Sequence, residues 1–174
     1  MRLWRWGLTG FVLLLGAFYL GQSIPLLIVR GQDSPSWLLT VPVHPPQEFT
    51  IQFLHSYDRG FVREHYRIGP DLKIFLAEMT LQSFLNGQGF VGGNLKIENG
   101  LGRIRDIHQP MDKVSFFLGS IADHRLIVPQ GTFRFLTVAE SGEVLVITAE
   151  KKARGLFLWN RFGHWMRNGK RIWG

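Results

Sequence analysis

The sequence predicts an antiparallel β-sandwich or barrel of about 8–10 short strands, preceded by a transmembrane helix and followed by a basic aromatic tail. Three observations carry that reading. Between residues 37 and 150 the chain falls into runs of period-two alternation punctuated by Gly, Pro, Asn and Asp, and no stretch there has a convincing helical period. Near the amino terminus, Leu8 to Val29 contains no charged side chain. All 13 acidic residues precede Lys151, whereas residues 151–174 hold seven basic residues and no acid.

The apolar run comes first. Twenty-two residues from Leu8 to Val29 would make about 33 Å of helix, enough for a bilayer core of about 30 Å. Arg2 and Arg5 precede it and Arg30 follows, with Trp4 and Trp6 near one end. This bias favours a cytoplasmic amino end and an outward-facing remainder. A cleaved signal peptide is the competing reading, with Gly21-Gln22-Ser23 offering small residues at the cleavage offsets. The chain divides accordingly into an anchor or signal segment at 1–30, a linker at 31–36, a β-domain at 37–150 and a basic amphipathic tail at 151–174.

Strands are expected over 37–41, over the alternating run from Phe49 to Ser56, and from Phe61 to Ile68, the last two joined by a turn centred on Asp58-Arg59. Further strands are expected over 72–81, 95–98, 102–107, 113–119, 125–128, 132–138 and 144–150. Asn99-Gly100 is a strong signal for a two-residue hairpin turn. Gly87, Gly89 and Gly92 spell a dinucleotide-binding fingerprint, but the strand and turn signals that follow them supply no helix for a pyrophosphate. They read as a loop.

Composition bounds the chemistry. The absence of cysteine excludes disulfides, thiolate metal sites and a cysteine nucleophile. The net charge of +7 resides in the tail and the amino end, since residues 31–150 carry 10 basic and 13 acidic side chains. A nucleic-acid-reading core is therefore not expected. No cofactor, metal or catalytic residue is assigned.

The candidate site residues come from ionisable groups at positions whose parity is apolar. His55 shares parity with Phe49, Ile51 and Phe53; Glu64 shares it with Val62, Tyr66 and Ile68; Glu78 shares it with Ile74 and Leu76. With the turn centred on Asp58-Arg59, residues whose numbers sum to 117 would face each other, placing His55 diagonal to Glu64. The pair reads as a buried couple locking the hairpin register, as the floor of a ligand or partner pocket, or as part of a catalytic or metal site. Glu78 would add a third group to the same interior. Ser56, adjacent to His55, points to the opposite face, and no Gly-x-Ser-x-Gly elbow is present. His124, after Asp123, reads as a turn residue or a pocket residue, and the sequence favours the turn.

Phe53-Leu54-His55-Ser56-Tyr57, followed by Val62-Arg63-Glu64-His65-Tyr66, resembles the domain-of-unknown-function 1850 family of small bacterial proteins. In that family a His-Ser pair is followed at this spacing by Val-x-Glu-x-aromatic. Glu78 through Ser83-Phe84, and Gly119 through His124 to Leu126, are similar to later segments of the family. The resemblance extends over roughly residues 37–150. It departs at Leu85-Asn86-Gly87-Gln88-Gly89, where the family usually has a Gly-Ala-Gly-Leu-Pro run. Genes of the family typically accompany TAXI-type members of the TRAP (tripartite ATP-independent periplasmic) transporters. The resemblance thus implies an extracytoplasmic accessory of solute uptake, with His55, Ser56, Glu64, Glu78 and His124 as motif positions.

In the tail, Leu158, Phe162, Trp165 and Met166 fall on one helical face, with Arg154, Arg161 and Arg167 largely elsewhere. That pattern suits a helix in the headgroup region of an anionic leaflet; Arg154, Trp159, Arg161, Phe162, Trp165, Arg167, Lys170, Arg171 and Trp173 are its candidate membrane-surface residues. The functional expectation is an accessory or binding protein anchored in the inner membrane with its β-domain on the periplasmic side. Its expected partners are the membrane and a multi-span transporter or that transporter's solute-binding protein, without nucleic acid. The alternative is a small periplasmic enzyme or metal-assisted hydrolase using His55, Glu64 and Glu78.

Overall fold

The computed structural model describes residues 2–55, 59–82 and 94–168; for 2–7, 164, 165, 167 and 168 only the backbone is described. Helix α1 (Arg2–Gly21) leads directly into β1 (Ser23–Gly31) and β2 (Trp37–Pro42). There follow β3 (Gln47–Leu54), β4 (Phe61–Ile68), β5 (Ile74–Leu81), β6 (Asn94–Glu98), β7 (Leu101–Arg105), β8 (Gln109–Met111) and β9 (Val114–Phe117). The chain ends in β10 (Arg125–Val128), β11 (Gly131–Arg134), a 3-10 turn over Phe135–Thr137, β12 (Val144–Ala153) and α2 (Arg154–Asn168).

The strands form two sheets rather than a closed barrel. One has the order β2-β1-β12-β9; the other runs β11-β10-β3-β4-β5-β7-β6, with β8 also pairing with β5. Their facing sides share one core: Leu27, Val29, Val41, Leu145 and Ile147 from the first sheet meet Phe49, Ile51, Val62, Ile68, Ile74 and Leu126 from the second. The architecture is an antiparallel sandwich. The hairpin read at Asn99-Gly100 forms as expected: Glu98 pairs with Leu101, and both turn residues adopt left-handed φ, 52° and 77°.

The amino-terminal reading is corrected by the structure. Leu8–Val29 is not one helix: α1 ends at Gly21, and Ser23–Gly31 is a strand paired with β12 from Ser23↔Ala153 to Gly31↔Leu145. The β-domain therefore begins near residue 23, not 37, and β12 carries it to Ala153. The misreading has a physical origin. One face of β1 (Leu27, Val29) lines the main core, while the other (Leu26, Ile28) is covered by Phe157 of α2. A strand buried on both faces is apolar at every position and cannot be told from a helix by periodicity. Pro25 argues against a continuous helix, and the β-branched Ile24, Ile28 and Val29 are the local signals for strand. Among the described residues, no helix is long and apolar enough to cross a membrane.

Candidate functional site

The β3–β4 hairpin pairs residues whose numbers sum to 115, from Gln47↔Ile68 to Leu54↔Phe61. The expected sum of 117 is therefore two too high. A shift of two preserves every face but moves the partners. His55 closes the hairpin, donating its N–H to the Gly60 carbonyl and accepting from the Arg59 N–H, both at 2.9 Å. Arg59 takes a left-handed φ of 51°. Glu64 lies opposite Ile51, four residues and so about 13 Å along the strand from His55. The expected His55–Glu64 couple is not assembled.

Glu64 satisfies itself locally: Tyr66 donates its hydroxyl to Oε2 at 2.8 Å. Burial raises the Glu64 carboxyl above the usual carboxylate range, and the Tyr66 bond partly offsets this. Burial beside that carboxylate pushes the Tyr66 phenol far above its ordinary value. Tyr66 also stacks on Phe49 with centroids 5.0 Å apart. The Glu64–Tyr66 bond thus serves the core. Ser56 lies outside the described residues.

A bulge moves Glu78. Strand β5 pairs with β4 as His65↔Glu78 and then as Tyr66↔Leu76, leaving Ala77 as an extra residue. Ile74 and Leu76 face the core on one side of the bulge, Met79 and Leu81 on the other. The even parity that aligned Glu78 with Ile74 is broken, and Glu78 points to the outer face with His65. His55, Glu64 and Glu78 therefore do not form a common cluster. Among the described residues, no group of three or more His, Cys, Asp or Glu side chains could hold a metal ion.

The bulge borders a cleft of about 570 Å³ on the outer face. On β5, Leu81 to Met79 pair with β7, while Leu76 to Ile74 pair with β8. The connection between those two partners crosses the bulge, where the Ile107 N–H donates to the Ala77 carbonyl at 3.3 Å. That crossing needs left-handed backbone at Asp106 (φ 60°) and His108 (φ 47°). Such backbone costs roughly 1–2 kcal/mol in an L-residue, less for Asp and His than for most. Both residues line the cleft, with Glu48, Arg67, Phe75, Glu78 and Arg105.

The charges in the cleft are partly engaged. Arg67 Nη2 donates to Glu48 at 2.9 Å; Arg105 Nη2 donates to Glu98 at 3.0 Å, and its Nε lies 3.6 Å from Glu78. His65 forms part of the floor, its ring nitrogens 3.0 Å from the Thr50 hydroxyl and 3.2 Å from that of Thr80, on the flanking strands. Burial lowers its pKa, against the pull of Glu78. Sequence parity could not find this site, because it depends on the bulge and on left-handed residues that are not glycine.

His124 is not a solvent-facing turn residue. It is only 6% exposed and sits between Phe53 and Phe116, with ring centroids at 5.0 and 4.8 Å. Its parity matches Leu126 and Val128, which face the core. Burial lowers its pKa to about 4, despite neighbouring Asp123, and its buried Nδ1 has no hydrogen-bond partner among the described residues. Asp123, at φ 44°, bonds Arg125 and Arg134. These arginines hold its carboxyl below the usual range, although its own desolvation opposes them.

Residues 49–135, half of the 174-residue chain, match the family described as Domain of unknown function (DUF1850). The chain belongs to this family. No curated protein and no solved structure matches it. In this DUF1850 protein the matched segment contains nearly all of the larger sheet and every cleft residue named above except Glu48; α1, β1, β2, β12 and α2 lie outside it.

Those outer elements bring the two helices to one place. Because Ser23 pairs with Ala153, α1 leaves and α2 begins at the same end of the β1–β12 ladder. The Arg154 N–H donates to the Gln22 carbonyl at 2.8 Å, and its guanidinium lies 4.1 Å from the centroid of the Tyr19 ring. Phe157 buries itself against Leu26 and Ile28. Leu158, Trp159, Phe162 and Met166 remain exposed, Trp159 by 77%. A helix spans Arg154–Asn168. The Trp165 and Arg167 side chains are outside the description, as are Lys170, Arg171 and Trp173.

Proposed function

We propose that this protein is a membrane-tethered accessory of solute uptake whose β-sandwich is held on the extracytoplasmic side of the cell membrane. The supporting observation is α1. Five consecutive residues, Phe11 to Leu15, are apolar and each more than half exposed, as are Phe18 and Tyr19. Consecutive helical positions point in all directions around the axis, so the helix is apolar on every side, as a lipid-embedded helix is. Leu8–Leu20 alone covers about 20 Å, and α1 matches the roughly 30 Å of a bilayer core only along its full length, which includes Arg2 and Arg5. Arg2 and Arg5 before the apolar segment, and no acid in it, favour an inward amino end.

Membership of the DUF1850 family, together with the genomic company described for that family, points the accessory role toward TAXI-type TRAP transport, where the domain would meet a multi-span carrier or its solute-binding protein. Crosslinking in native membranes followed by affinity capture tests this. Recovery of a multi-span carrier or its binding protein with the full-length chain is the expected result. Full-length protein released from membranes by alkaline carbonate, or captured with neither partner, would overturn the reading.

A further inference from the structure

Three features coincide at the cleft on the outer face of the larger sheet: the Ala77 bulge, the left-handed pair Asp106 and His108, and charges of both signs. Bulges and left-handed residues other than glycine concentrate where a chain is shaped around a ligand. The volume of about 570 Å³ lies within the roughly 300–1,000 Å³ common for small-molecule sites. Phe75 and Ala77 give the cleft an apolar wall, and His65 is tied to two threonines.

The charges retain capacity. Arg67 meets Glu48 through Nε and Nη2, and Arg105 meets Glu78 and Glu98 through the same two nitrogens. Among the described residues, nothing engages Nη1 of either guanidinium, which keeps its two N–H donors. Arg67 reaches Glu48 at Oε1 alone and Arg105 reaches Glu78 at Oε2 alone, while Asn94 takes Oδ2 of Asp106. Among the described residues, one oxygen of each carboxylate therefore stays open. A ligand of one sign would leave the opposing set facing it as like charge. A ligand with separated charges of both signs answers both.

We propose that the cleft binds a small zwitterion of the free amino acid class, its carboxylate on Arg67 and Arg105 and its ammonium on Glu78 and Asp106. This deepens the accessory reading by naming a solute class. It is testable apart from it, because solute binding is measured on the isolated protein without membrane or partner.

The full-length protein in detergent micelles is titrated calorimetrically at millimolar concentrations with each proteinogenic amino acid, with succinate as the purely anionic probe and choline as the purely cationic one. At least one amino acid should bind saturably and at least about tenfold more tightly than either single-sign probe, a margin of about 1.4 kcal/mol. Arg105→Gln should weaken that binding at least about tenfold. Asp106→Asn should do the same, and asparagine tolerates the left-handed backbone, so this variant decides the matter if Arg105→Gln fails to fold. Absence of saturable binding by any amino acid, a preference for succinate or choline, or undiminished binding by Asp106→Asn would overturn the proposal.

Discussion

His124 is a titratable base in a place where charge is expensive. Flanked by two phenylalanine rings and almost fully buried, it is neutral at pH 7 because its pKa has fallen to about 4. The unfolded chain restores a pKa near 6.5 and so binds more protons than the folded one between these values. Stability is therefore complete above about pH 6.5 and drains away as pH falls toward 4, by roughly 3 kcal/mol over that interval. Glu64 acts in the opposite sense: its raised pKa favours the folded state at lower pH. Subtracting a variant separates the two. Chemical denaturation of wild type and His124→Leu across pH 4–7 should show a flatter loss on the acid side for the variant, with the curves converging or crossing toward pH 4. Parallel curves would show that His124 does not carry the acid sensitivity.

At the scale of elements, what was legible and what was not follows from local against non-local causes. Phe61–Ile68 matches its expected strand because its two faces differ in burial, so the alternation is written in the residues themselves. The Asn99-Gly100 hairpin was legible for a similar reason, since only a few residue types adopt its φ values. β1 was hidden because α2 covers its second face, and Glu78 was misplaced because a single bulged residue inverts parity downstream. α2 itself is docked through Phe157, its buried anchor on Leu26 and Ile28. Replacing Phe157 by Ser removes that anchor from a helix whose other described apolar side chains are mostly exposed. The cost should fall on docking, not on the sandwich. Hydrogen exchange should accelerate across residues 154–168 while amides of Leu145 to Ile147 stay protected; exchange rising equally in both would show that α2 is integral to the fold.

At the scale of the whole molecule, the sandwich core and the helices are separable in their energetics. Its large core clusters draw on the two sheets and Phe157, and no residue of α1 belongs to them. α1 touches the rest mainly where Tyr19 and Leu20 meet Arg154 and Gly155. A chain beginning at Gln22 should therefore fold, losing about 1 kcal/mol from the Tyr19–Arg154 contact. It should also leave the detergent-requiring state, because the exposed apolar stretch from Leu8 to Leu20 is gone. α2 remains, with its exposed Leu158, Trp159, Phe162 and Met166 and a basic segment without a single acid. Each basic residue near an anionic leaflet contributes about 1 kcal/mol at physiological ionic strength, an attraction that salt screens. The truncated protein should accordingly bind phosphatidylglycerol-rich vesicles at low salt, release from them in molar salt, and ignore purely phosphatidylcholine vesicles. Cosedimentation with the two vesicle types measures this directly. Equal binding to both, or binding that resists salt, would mean that the basic residues of α2 do not seat it on the membrane.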